Sequence, residues 1–117
     1  MGIRVLVVDD TRIIRNSVKD FFDRDFFDIV GEAADGADAV KAYKELQPDV
    51  VTMDMNMPRC DGVQAIKQIL EMDPKAYIII ISSMDDDIMR GLEAGAKACV
   101  FKPISMMKFR ELMETLS

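Results

Sequence analysis

Val50-Val51-Thr52-Met53-Asp54-Met55-Asn56-Met57-Pro58 opens as a buried strand and closes as a loop. Apolar and β-branched residues follow the Pro48-Asp49 break, and the run ends on a carboxylate, Asp54, before Pro58 helps terminate it. In an open parallel sheet, ligands bind beyond the carboxyl ends of the strands. A strand ending in an acid is therefore a place for chemistry, although a lone Asp there also serves as an ordinary turn cap.

Four more segments share this design. Ile3 to Val8 is an aliphatic run broken only by Arg4, and it ends at Asp9-Asp10. Asp28 to Ala33 reads as a second strand, closed by an Asp35-Gly36 turn. Tyr77-Ile78-Ile79-Ile80-Ile81 is the most β-prone stretch and stops at Ser82-Ser83, while Ala98 to Phe101 precedes Lys102-Pro103.

Helical periodicity fills the gaps. Ile14, Val18, Phe21 and Phe22 share one face, and Ala37 to Leu46 turns Val40 and Tyr43 inward before Pro48. Gly62 precedes a helix with Val63, Ile66, Ile69 and Leu70 on one side, ended by Asp73-Pro74. Asp85-Asp86-Asp87 suits a helix start, and that helix runs to about Ala94, closed by Gly95. Ser105 caps a last helix with Phe109, Leu112, Met113 and Leu116 inward. Five β-α units imply an α/β doubly wound parallel sheet with helices on both faces. At 117 residues this is one domain, spanning 1–117.

Composition narrows the function. A net charge of -6 leaves no basic stripe for phosphates, so no nucleic-acid partner is expected. No apolar run is long enough to span a bilayer, so no membrane insertion is expected. Cys60 and Cys99 are two widely spaced thiols, expected to be free in a reducing, cytoplasmic setting. The absence of histidine removes imidazole acid/base catalysis from this chain, so any phosphohistidine must belong to a partner.

The strand ends carry Asp9 and Asp10, Asp54, Ser82 and Lys102, all on one edge of a parallel sheet. If the first and third strands are neighbours, three carboxylates crowd one crevice and push their pKa values upward. Mg²⁺, a hard cation that takes oxygen ligands, relieves such a cluster (Mn²⁺ is the alternative), and Lys102 supplies a second counter-charge. The set suits phosphoryl transfer: Asp54 as nucleophile, Asp9 and Asp10 as metal holders, Ser82 as a hydroxyl for a phosphoryl oxygen.

These motifs resemble the receiver domain of response regulators in two-component signalling, most of all its stand-alone chemotaxis form. The resemblance rests on V-L-V-V-D9-D10 with Arg15 following, V-T-M-D54-M-N-M-P58 with D61-G62, I-I-I-S82-S83 and F-K102-P103. It implies a flavodoxin-like strand order 2-1-3-4-5, with Asp54 as phosphorylation site and switch and phosphate-binding roles for Ser82 and Lys102. It also implies metal ligation by Asp9, Asp10, Asp54 and the Asn56 backbone carbonyl, and a cis peptide before Pro103. The implied partners are a sensor histidine kinase or phosphotransfer protein and a downstream target docking near the fourth and fifth helices. The chain is expected to be a monomer and, apart from its own phosphorylation and dephosphorylation, not an enzyme.

Two positions depart from the family. Cys99 stands three residues before the lysine where an aromatic ring usually acts in the switch, and Phe101, on the same strand face, reads as core. Ser83 replaces a smaller residue and is expected to narrow access to the acyl phosphate. The ten methionines read chiefly as core filler; the alternative is a flexible docking surface formed by Met84, Met89, Met106 and Met107. Other functional readings are a receiver excised from a larger regulator and an aspartyl-nucleophile phosphatase. The phosphatase lacks its second acid, since Asn56 stands two residues after Asp54.

Overall fold

The computed structural model describes residues 2–55 and 62–116. Ten elements alternate along the chain: β1 (Ile3–Val8), α1 (Arg12–Phe21), β2 (Phe27–Ala33), α2 (Gly36–Leu46), β3 (Val50–Asp54), α3 (Gly62–Met72), β4 (Tyr77–Ser82), α4 (Asp85–Ala94), β5 (Ala98–Phe101) and α5 (Met106–Glu114). All strand pairings are parallel and the sheet order is β2-β1-β3-β4-β5, the doubly wound order that the resemblance implied. The first and third strands are neighbours, Val8 lying opposite Met53.

Strand alternation divides the core in two. Leu6, Val8, Val51, Met53, Ile78 and Ile80 pack with Ala39, Ala65, Ile66, Ile69 and Ile88 beneath α2, α3 and α4. Val5, Val7, Val50, Ile79, Ile81 and Val100 pack with Val18, Phe22, Phe109 and Met113 beneath α1 and α5. Each fully buried aliphatic or aromatic side chain contributes about 1.5–3 kcal/mol of transfer free energy.

Local chemistry fixes the element ends. Gly95 takes φ 118°, a left-handed cap that closes α4 where the sequence placed its end. Ser105 accepts the Lys108 N–H at 3.4 Å to start α5. The expected Asp35-Gly36 turn is instead the start of α2. Asp35 is its cap, accepting the Asp38 N–H at 2.8 Å, and Gly36 is its first residue. At the pole away from the strands' carboxyl ends, the Tyr43 hydroxyl donates to Asp73 at 2.7 Å, tying α2 to the segment after α3. Burial and the acidic partner hold the Tyr43 phenol well above its ordinary value.

Three expectations change. Phe101 is 51% exposed and not core. β5 is an edge strand, and the helix packed nearest it, α4, leaves the ring uncovered. The methionines divide: Met53, Met55 and Met113 are buried, whereas Met84, Met89, Met106 and Met107 are exposed on α4 and the start of α5. Within α2, Ala39 is buried beside Tyr43 while Val40 is only half-covered. Asn56, Met57, Pro58, Cys60 and Asp61 lie outside the described residues.

Candidate functional site

β1 and β3 run side by side, so their terminal acids meet. Asp9 and Asp54 are both buried, and Asp10 lies exposed beside them. Oxygens of the three carboxylates all fall within 4.8 Å of one another. The β5 end adds the counter-charge: Lys102 Nζ lies 3.7 Å from Asp9 Oδ2 and 3.5 Å from Asp54 Oδ1. The peptide between Lys102 and Pro103 is cis, as the resemblance implied.

Backbone contacts position each group. Asp9 donates its N–H to Ala33 O at 3.1 Å, and its Oδ1 accepts the Thr11 N–H at 3.1 Å, so the turn after β1 is held at both ends. Lys102 N–H donates to Ser82 O at 2.9 Å, which registers the lysine against β4. Ser82 is buried, and its Oγ accepts the Met84 N–H at 3.1 Å. Its hydroxyl proton is thereby left to donate elsewhere. Thr52, two residues below Asp54 on β3, is fully buried, and its hydroxyl has no hydrogen-bond partner among the described residues.

Burial is the main influence on the Asp9 carboxyl and pushes its pKa up. The Thr11 N–H opposes that shift, the Asp54 charge reinforces it and Lys102 opposes it. A carboxylate held high by desolvation and a like neighbour is poised to gain from a cation. Three acids against one lysine leave a deficit of two charges, the charge of one divalent ion. An all-oxygen donor set with crowded, partly buried carboxylates fits Mg²⁺, or Mn²⁺, and does not fit a soft metal.

Thus Asp9, Asp10, Asp54 and Lys102, separated by up to 93 positions in the chain, come together as the strand ends foretold, with Ser82 beside the lysine's backbone. The Asn56 carbonyl lies outside the described residues. A supporting residue whose role the spacing did not reveal is Arg15. Its Nη1 donates to Asp9 O at 2.8 Å, and its Nε pairs with Glu32 Oε1 at 3.1 Å. Lys19 Nζ takes the other Glu32 oxygen at 3.0 Å, and these two cations hold the Glu32 carboxyl below its ordinary value. The only sequence signal for this network was Arg15 following the acid pair on the same turn of chain.

The family model described as response regulator receiver domain matches residues 5–114. A chemotaxis protein CheY from Thermotoga maritima is 42% identical over 119 residues, covering 100% of this chain and 99% of its own. Its counterpart from Bacillus subtilis is 43% identical over 105 residues, covering 88% of each chain. Among solved structures, a CheX-CheY-BeF3-Mg complex from Borrelia burgdorferi contains a chain 33% identical with TM-score 0.87, covering 97% of this chain and 89% of that one. Geometry, sequence and fold agree: the chain belongs to the response-regulator receiver family.

Proposed function

We propose that residues 1–117 form one phosphoacceptor domain in which Asp54 takes a phosphoryl group from a histidine kinase or phosphotransfer protein, in a Mg²⁺-dependent reaction in the cytoplasm. The observation that carries this reading is the meeting of Asp54 with Asp9, Asp10 and Lys102 at one sheet edge. An Asp54 oxygen attacks phosphorus, the bond from phosphorus to the donor atom breaks, and the donor leaves with the electron pair. Lys102 neutralises an equatorial oxygen of the transferring group, and Ser82 donates its free hydroxyl proton to another. Mg²⁺, held by Asp9, Asp10, Asp54 and the Asn56 carbonyl, would supply charge neutralisation on the phosphoryl oxygens.

The phosphorylated form has a contact that the resting form lacks, from the Ser82 hydroxyl to the phosphoryl oxygen, and such a differential contact shifts a two-state equilibrium. Ser82 adjoins the start of α4, so the shift reaches α4 first. There α4, β5 and the start of α5 present Met84, Met89, Phe101, Met106 and Met107 as exposed apolar groups. This surface suits a downstream protein target, in chemotaxis or another phosphorelay. With Cys99 half-buried against the α3/α4 core, the switch runs without a ring at that position.

The test is incubation with acetyl phosphate and Mg²⁺, read by intact mass, for the parent chain and Asp54→Asn. One added phosphoryl group in the parent and none in the variant is expected. Equal labelling of both would place the nucleophile elsewhere, on Asp9 or Asp10 first.

A further inference from the structure

β1 ends at Val8, so Asp9 and Asp10 stand just past the strand, on the turn into α1. Each polar group of Asp9 is tied. Its N–H donates to Ala33 O at 3.1 Å, its Oδ1 accepts the Thr11 N–H at 3.1 Å, and its carbonyl accepts Arg15 Nη1 at 2.8 Å. Only the last of these acts on the link to Asp10. The Asp9 carbonyl shares one rigid peptide plane with the Asp10 N–H and Cα, so a donor fixed on that oxygen sets the direction in which Asp10 leaves the plane. Asp10 itself is exposed, and its carboxylate takes a 3.3 Å bond from the Thr11 hydroxyl of the same turn, which adds no outside anchor.

The outside anchor is reached through Arg15. Its side chain is only 16% exposed, and its Nε pairs at 3.1 Å with Oε1 of Glu32 on β2. Lys19 Nζ holds Oε2 of the same carboxylate at 3.0 Å. The residue after Glu32 is Ala33, the one that takes the Asp9 N–H. One planar guanidinium thus spans from the acid pair to the neighbouring strand, using two of its nitrogens. Charge and geometry give this arrangement opposite consequences. As a cation, Arg15 weakens the negative potential of the acid cluster and opposes a divalent ion; as a brace, it presets the ligands and favours one.

We propose that Arg15 is a positioning residue, whose brace from the Asp9 carbonyl to Glu32 presets the Asp9-Asp10 pair for a divalent cation. The proposal rests on those two acids as the metal holders. Ligands already oriented take the ion without the loss of freedom that a loose turn would suffer on binding. In this arrangement the geometric effect outweighs the charge effect, because Glu32 offsets the charge of the guanidinium while leaving its direction fixed.

The chain has no tryptophan, so binding is read from amide NMR spectra through a Mg²⁺ titration at constant ionic strength. The parent, Arg15→Ala, Arg15→Lys and Lys19→Ala are compared, and the same spectra show whether each is folded. Arg15→Ala is expected to raise the half-saturating Mg²⁺ about tenfold, the scale of losing a partner that orients a metal ligand. The sign decides, since removing a cation would by charge alone lower it. Arg15→Lys keeps the charge but has one nitrogen for two acceptors. It is expected to recover little, and it carries the test even if Arg15→Ala is unfolded. Lys19→Ala removes an equal charge from the same Glu32 without touching the Asp9 carbonyl, and is expected to move the midpoint less than about twofold. Equal or tighter binding in Arg15→Ala, parent-like binding in Arg15→Lys, or a matching loss in Lys19→Ala overturns the brace while leaving the acids as metal holders. No saturable shift in the parent overturns the metal site and this proposal with it.

Discussion

The two faces of the central sheet are filled by opposite means. Beneath α2, α3 and α4 the helices come close because small residues let them: Ala39, Ala65 and Gly91 are buried against the strands. A Cβ built on Gly91 would lie 2.2 Å from Ile80 Cδ1, so α4 sits where only hydrogen fits. Beneath α1 and α5 the space is taken up by rings. Phe109 meets Phe21 at 5.4 Å and Phe22 at 5.0 Å between centroids, the latter edge-on, and Phe22 meets Phe27 at 5.2 Å. By strand alternation, Asp54 follows Val50 and Thr52 onto the ring-filled side, while Ser82 follows Ile78 and Ile80 onto the close-packed side. Asp54 and Ser82 thus continue opposite faces: the acid sits over a layer propped by large side chains, and the hydroxyl sits over the side where α4 approaches the sheet through Gly91.

The contrast predicts different responses to mutation. Phe109→Ala empties the centre of the ring layer and is expected to lower unfolding stability by about 3–5 kcal/mol, read from the denaturant midpoint. A loss below about 1 kcal/mol would mean that the layer collapses to fill the void, and that rings do not hold α1 and α5 apart. Gly91→Ala should fail by crowding, costing about 1–3 kcal/mol. Ile80→Val, which removes the clashing Cδ1, should restore part of that in a double-mutant cycle. Additive effects of the two substitutions would show that α4 is not held by this close approach.

The smallest expected effect lies at the rim of the ring-filled side. Lys19 and then Arg15 hold Glu32 below its ordinary 4.5. As pH falls through that range the unfolded chain takes up the proton first, so the contribution is present at neutral pH and lost on acidification. Glu32→Gln should therefore cost at most about 1 kcal/mol at pH 7, because the pair is partly solvated, and the cost should vanish once acidification has protonated Glu32 in the folded chain as well. Thermal melts of parent and variant that stay equally separated across that range would show that the effect is packing and not charge.

Strands and acids were legible because each buried strand is an apolar run and each ends abruptly on a polar residue. β4, from Tyr77, and β5, over Ala98 to Phe101, are clear examples. α4 was legible to the residue, since three aspartates start it and Gly95 stops it. What alternation could not disclose was adjacency. Nothing within Ile3 to Val8 or Val50 to Asp54 says that they pair, so the meeting of Asp9 with Asp54 was conditional until the sheet order was known. Phe101 was misplaced for a related reason: its hydrophobicity argues for core, but an edge strand has too little helix above it to cover the ring. The double grip on Glu32 and the Tyr43–Asp73 tether depend on side chains 13 to 30 residues apart, a range at which sequence periodicity carries no information.

Thr52 is nearly the shape of valine, in a layer whose neighbours in register, Val7 and Ile79, are both aliphatic. An unsatisfied buried hydroxyl carries a penalty of about 1–3 kcal/mol that a methyl group in its place would not. With no partner for the Thr52 hydroxyl among the described residues, the molecule keeps unused thermal headroom directly under Asp54. A lineage moving to hotter surroundings has a one-residue route to it, with no loop to shorten and no surface to recharge.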